Sequence, residues 1–313
     1  MTARTLWDRL GTLAGLVLVA VVFGALVGPR FFAPVNIELM ARQTAIVCMA
    51  ALGMTIVIAA GGIDLSVGSI IALSTVVIAL TLRAQASPVT AALAGIGAAA
   101  LCGLMNGVLI TWLRVVPFIV TLGTMLIVRG AAKGLADERR IEAPTTWLND
   151  LLSNHGGSAL PPAGIWAVIA VALLIAAVLR YTRFGRHVFA IGSNERMARL
   201  CGVAISRTKI AVYTLAAALA GVAGLLEFSK LSVGDPTVAV GLELDVIAAV
   251  IIGGGSLSGG RGSVAGTVIG AAIMTIIQIG CSQKGLANWV QQIVTGSIIV
   301  VAVALDRVRS ARA

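Results

Sequence analysis

Asp64 is the only formal charge in the 40 residues from Gln43 to Leu82. It stands in AAGGIDLSVGSIIALS (59–74), behind Gly61 and Gly62 and ahead of Ser66, Gly68 and Ser69. Glycines, a carboxylate and hydroxyls suit a break between two apolar helices, because the freed backbone groups must be satisfied away from lipid. A carboxylate there has two uses. It can accept backbone N–H bonds at the positive end of the following helix, which explains it without any solute. Alternatively the break lines a solute route, since ionisable groups at membrane depth mark such routes. A proton relay needs ionisable neighbours at the same depth, for which only Arg129 and Glu227 are candidates.

The second half of the chain echoes this segment. VIAAGGIDLSVGS (57–69) compares with VIIGGGSLSGGRGS (250–263), placing Gly254 and Gly255 beside Gly61 and Gly62. Glycine-interrupted apolar segments in two halves point to a pathway at a repeat interface, although glycine-rich membrane sequence also produces such likeness by chance. Other polar residues inside apolar stretches include Ser66, Ser69, Asn106 and Gln278. Each can contact a solute or join helix to helix.

A third stretch, TRFGRHVFAIGSNERMARLCGVAISRTKI (182–210), is basic. Its core predicts a short helix with Ser193 as N-cap, Glu195 in the first turn, Arg199 in the last and Gly202 just past the end. Met197, Leu200 and Cys201 fall at i, i+3 and i+4 and form a stripe facing a partner or the bundle, while Ala198 lies between them. A plain loop helix with no partner fits the same spacing.

The common engines are missing. There is no GxxxxGK[ST] for nucleotide phosphates, no GxSxG, no HExxH and no dinucleotide fingerprint between a strand and a helix. The glycine string 253–263 lies between apolar runs, where it is weak support for phosphate binding. Cys48, Cys102, Cys201 and Cys281 have no metal-ligand spacing, and His155 and His187 are the only histidines. The sequence therefore predicts no catalytic residue, no metal and no cofactor. Any work done must draw on a gradient or on another subunit.

What must position these residues is a bundle of membrane helices. Hydrophobic residues make up 58% of the 313 and charged ones 12%, which excludes a disordered chain and argues against a water-soluble domain. Thirty-six glycines with few aromatics suit close helix contact in lipid. Charge-free windows run 10–28, 43–63, 65–82, 84–113, 115–128, 156–179, 210–226, 246–260, 262–283 and 285–305. Most match the roughly 20 residues that cross a hydrocarbon layer of ~30 Å. Window 115–128 is short unless it extends through Arg129 to Lys133 with the guanidinium facing protein or snorkelling, and 246–260 is short as well. The expectation is an all-α polytopic transmembrane bundle of about ten spans (eight or nine remaining open), forming one domain over residues 1–313. The first run, Leu10–Gly28, exceeds a usual signal core and is read as a retained span.

The net charge of +10 follows the loops. With ten spans and an inside N-terminus, 14 of the 23 Lys and Arg residues fall inside and nine outside. The segment 180–209 decides this, with seven basic residues against Glu195 alone. Both termini are then cytoplasmic, as is the loop 182–209. The loops 134–163 and 229–245 are periplasmic and form a docking surface. No soluble basic domain exists to bind nucleic acid.

GGIDLSVGS after an apolar run, the RFGR and ARLCGV elements of the basic loop and the late GGGSLSGGRGSVAGTVIGA are similar to the membrane permease of ribose-type ABC sugar importers. The likeness covers about residues 35–305. It implies a permease subunit without its own ATPase site, in a bacterial inner membrane. Its partners would be two cytoplasmic ABC ATPase subunits, a periplasmic sugar-binding protein and a second permease, as a homodimer or with a sister subunit. The sugar would pass by alternating access, and the pathway or helix break would involve Gly61, Gly62, Asp64, Ser66, Ser69, Asn106, Gly254 and Gly255. Such permeases carry a cytoplasmic E-A-A-x-x-x-G element that enters the ATPase. Ala198 and Gly202 keep its Ala-x-x-x-Gly spacing, whereas Met197 takes the second position, Arg196 the acid's and Glu195 lies one residue early. The resemblance thus assigns ATPase coupling to Ser193, Glu195, Ala198, Arg199 and Gly202. A nucleoside or branched-chain amino acid permease remains open, as do a gradient-driven carrier and a scaffold that transports nothing.

Overall fold

The computed structural model describes residues 3–153 and 161–311. Residues 154–160, with His155, lie outside the described residues, as does Arg312. Twelve α-helices make up the described chain: α1 (Ala3–Val27), α2 (Pro34–Ala59), α3 (Val67–Arg83), α4 (Pro88–Leu113), α5 (Pro117–Leu135), α6 (Ala163–Tyr181), α7 (Arg183–Ser193), α8 (Glu195–Leu200), α9 (Ile205–Leu231), α10 (Leu242–Ile252), α11 (Val264–Gln283) and α12 (Asn288–Ala311). Proline opens α2, α4 and α5 at the one helical turn where its missing N–H costs nothing. Ser87 and Ser263 cap α4 and α11 by accepting the N–H of Thr90 and Gly266.

Six helices, α2, α4, α5, α6, α9 and α11, have the length and composition to cross a membrane, and α3 and parts of α1 and α12 are shorter apolar helices. The chain is thus an all-helical polytopic bundle. Every charge-free window holds a helix, but the lengths differ from the expectation. Helix α5 does run through Arg129, whose guanidinium faces protein and donates to the carbonyls of Pro236 (3.0 Å) and Val238 (2.7 Å). Window 246–260 yields only the 11 residues of α10. At 1.5 Å per residue that is roughly 16 Å, half a crossing.

Helix α2 is the centre, buried at every residue from Ala45 to Ala59. The tightest pairings rest on small residues. Gly103 and Gly107 of α4 face α9, where a Cβ on Gly107 would sit 2.7 Å from the Ile210 Cα. Gly266 and Gly270 of α11 face the backbone of Gly253 and Ala249 in the same way. Two small residues four apart let backbones approach closely, and dispersion then holds the pair together in lipid.

The loops gather at two ends. At one, β1 (Ile141–Glu142) pairs antiparallel with β2 (Val233–Gly234), joining the loops 134–163 and 229–245. Arg140 bonds Asp235 there at 2.9 Å. At the other end lie α7, α8, the 60–66 turn and the 253–263 loop. Ser256 donates to Asp306 of α12 at 3.0 Å, and Thr12 of α1 lines a cavity with Arg261 and Asp306. Both terminal helices therefore reach the end that carries α7 and α8.

Candidate functional site

Helix α2 ends in a left-handed turn at Gly61 (φ 78°), with the N–H of Gly61 donating to Ile58 O and that of Gly62 to Val57 O. Helix α10 ends identically. Gly254 (φ 89°) donates to Ile251 O, and Gly255 to Val250 O. Residue for residue, the sequence echo is a shared C-terminal backbone motif, in which a glycine takes the conformation other residues resist.

Asp64 does not cap α3 directly. Its Oδ1 accepts the Ser66 N–H (2.8 Å) and the Ser66 hydroxyl (2.6 Å), two residues on, which is an Asx turn that aims the chain into the helix. The N-cap position itself is Ser66, whose side chain makes no capping bond. Asn106 of α4 donates to the Ser66 hydroxyl (2.9 Å), and Thr121 of α5 donates to the Ile63 carbonyl (3.1 Å). Asp64, Ser66, Ser69 and Asn106 are all fully buried, so the structure brings three of them together and opens none to solvent. Tyr213 of α9 completes the cluster, since a Cβ on Gly62 would collide with its hydroxyl. Its contribution is invisible in sequence, because an aromatic in a long apolar helix gives no sign of what it faces.

The 182–210 stretch folds as two helices. Thr182 caps α7 by accepting the Gly185 N–H (3.3 Å), and Val188 and Ile191 bury its inner face. Ser193 is the last residue of α7 and not the N-cap of the short helix. That cap is Asn194, which sits in an extended conformation and accepts the Met197 N–H at 3.0 Å. An N-cap needs non-helical backbone angles, which Asn194 has and Ser193, still within α7, does not. The remaining expected positions hold: Glu195 opens α8, Arg199 lies in its last turn, and Gly202 (φ 82°) follows the C-cap Cys201. Ala198 is buried against Ile191 and Ile205. Met197, Leu200 and Cys201 point outward and are exposed.

Glu195 anchors this helix to α9 through Lys209 (2.7 Å) and also meets Arg199 (3.2 Å). The Lys209 bond, with the nearby Arg199, holds its carboxyl below the usual glutamate range despite some burial. A cavity of ≈ 690 Å³ opens beside it, lined by Arg114, Arg199 and Lys209 among others.

The elbow and both helix breaks meet at glycines. Gly192 of α7 lies against Ala59 O and Gly260, and a Cβ on Gly259 would stand 2.6 Å from Gly192 O and 2.9 Å from the Gly61 Cα. The Gly260 N–H donates to Ala59 O at 3.0 Å, tying the 253–263 loop to the end of α2. One junction thus joins α7 to the turn after α2 and to the loop after α10. Gly192 and Gly259 were not singled out in the sequence, where glycines are too numerous for any one to stand out. Among the described residues no cluster of His, Cys, Asp or Glu is arranged to hold a metal.

The model of the branched-chain amino acid transport system / permease component family matches residues 36–303. The chain is 39% identical to the ribose import permease protein RbsC of Bacillus subtilis, over 97% of its own length and 94% of that protein's. It is 34% identical to the fructose import permease protein FrcC of Rhizobium meliloti, covering 93% and 83%. It is 36% identical to the L-arabinose ABC transporter permease protein AraH of Azospirillum brasilense, covering 95% and 88%. No solved structure matches it. A helical bundle with paired glycine-terminated breaks, joined end to end by likeness to such proteins, belongs to the permease component family of branched-chain amino acid transport systems.

Proposed function

We propose that this chain is the membrane-spanning permease subunit of an ATP-driven importer that carries a monosaccharide from periplasm to cytoplasm by alternating access. The carrying observation is likeness over nearly the whole chain to permeases named for ribose, fructose and arabinose, each a simple sugar. No P-loop occurs in the sequence, so hydrolysis belongs to separate ATPase subunits. Helices α7 and α8 form their docking site, with Met197 and Leu200 as the exposed apolar contacts. Movement passes through Gly192 to both helix breaks. The opposite end, where β1 and β2 tie two loops together, receives the sugar-binding protein, and a second permease completes the pathway. The basic elbow and both termini then face the cytoplasm of a bacterial inner membrane, as the charge distribution favours.

Asp64, Ser66, Ser69 and Asn106 act in this reading as the frame of the first break. Gly61, Gly62, Gly254 and Gly255 are the points where the two breaks turn. The test is uptake in proteoliposomes holding the permease, its ATPase subunits and a sugar-loaded binding protein. Uptake that depends on ATP is expected. Sugar accumulation driven by the permease alone in an ion gradient would sink the reading.

A further inference from the structure

At the end where β1 and β2 pair, a groove of ≈ 680 Å³ runs between α10, α11 and α12 and reaches the start of α2. That volume lies inside the range of small-molecule sites, about 300–1,000 Å³. Its lining is unlike the rest of this chain. Asn288, Gln291 and Gln292 of α12 join Gln43 of α2, Gln278 of α11 and Asp245 of α10. On α12 the polar positions 288, 291, 292 and 295 fall at i, i+3, i+4 and i+7, one face of the helix. Trp289, Ile293, Val300 and Val301 are exposed elsewhere on it. Amides that meet only hydrocarbon leave their hydrogen bonds unmade, so this face needs water, a solute or another polar surface.

We infer that the groove is a solute-contact site for a neutral polyhydroxylated molecule of monosaccharide size, an inference that rests on the importer reading above. A carboxamide offers donors and an acceptor together, matching a hydroxyl that both donates and accepts. The groove's charges are already engaged. Lys230, the single cation among the described residues that line it, donates to Gln43 at 2.8 Å and pairs with Glu227 at 3.2 Å. Asp245 accepts from the Gln278 amide. A zwitterionic amino acid would therefore meet a cation whose charge Glu227 already pairs. A nucleoside would find nothing to stack on, as no aromatic side chain among the described residues lines the groove. Among the described residues, Asn288 and Gln292 make no side-chain bond to another residue, which leaves their amides available. Without aromatic stacking the grip is weak, as release into the next stage of transport requires.

The test compares N288L/Q292L with the wild type in the assembled importer, using radiolabelled ribose and its loaded binding protein. A double variant with uptake more than twofold and up to about tenfold slower, the range that the loss of one net hydrogen bond spans, supports the site. Support further requires unchanged basal ATP hydrolysis, unchanged assembly with the second permease, and recovery in N288Q/Q292N. Uptake within twofold of wild type overturns it. Loss of the permease pair in the Leu variant also overturns it, because the polar face is then an interface between copies. If the wild-type complex moves none of several monosaccharides while hydrolysing ATP, the importer reading fails first, a result distinct from the variant's.

Discussion

Gly192→Ala tests the junction most directly. The new methyl would overlap Ala59 O and the Gly260 nitrogen, both backbone atoms that cannot rotate aside. Relieving the overlap requires α7 to retreat by about 1 Å or more, given ordinary carbon–oxygen contact distances. Overpacking of that kind costs about 1–3 kcal/mol. Stretching the 3.0 Å bond from Gly260 to Ala59 adds about 0.5–1.5 kcal/mol. Alanine's better helix propensity returns under about 1 kcal/mol. The net of about 0.5–3.5 kcal/mol shifts the docked arrangement by roughly twofold to a few hundredfold. In the reconstituted complex the expected result is slower uptake and fewer sugars moved per ATP, with hydrolysis retained. Gly97→Ala serves as control, because a Cβ at that helical glycine meets nothing within 4 Å. If Gly192→Ala and Gly97→Ala both transport with wild-type stoichiometry, the junction transmits nothing.

Asp64→Asn should keep near-normal uptake, since the remaining carbonyl oxygen still accepts from Ser66. Asp64→Leu, which leaves that N–H buried and unpaired, should lower thermal stability by about 1–3 kcal/mol; lost coupling in a stable Asp64→Asn variant would revive a protonation role. Gly107→Leu should separate α4 from α9 and reduce the yield of folded protein in detergent, whereas a variant of normal yield and melting temperature would contradict the close packing described. Glu195 has a depressed folded pKa, so its stabilising contribution is present above the ordinary glutamate range and fades as pH falls through the lower folded value. Melting curves of Glu195→Gln and wild type should accordingly differ at neutral pH and converge in acid, and a constant gap would refute the Lys209 tie. Exposed Cys201 should react with membrane-impermeant maleimide in inverted vesicles but not in intact cells, the reverse labelling placing α8 on the other face.

Much of the architecture could be read from charge-free windows because a charge in hydrocarbon is expensive and its absence therefore marks helix. The run of α5 through Arg129 was open in the sequence as soon as its guanidinium could face protein, but the loop carbonyls of Pro236 and Val238 that satisfy it lie at a distance in sequence that no local rule reaches. Gly202 was legible because a left-handed C-terminal position selects glycine strongly. Ser193 and Asn194 were not separable, as both residue types cap helices well and the choice depended on where α7 stopped. The Asp64 turn was half legible: a carboxylate ahead of an apolar helix foretold backbone N–H bonds to it, but only packing brings Asn106 and Tyr213 alongside. The amide face of α12 went unremarked because its polar residues are uncharged and do not interrupt an apolar window.

The enclosure of α2 carries a mechanical consequence. A segment with protein on every side from Ala45 to Ala59 has no lipid into which it can tilt. Displacing it would open voids on one flank and crowd the other, and interiors this dense resist both. Shape changes in the bundle are cheapest when the peripheral helices swing about this fixed post.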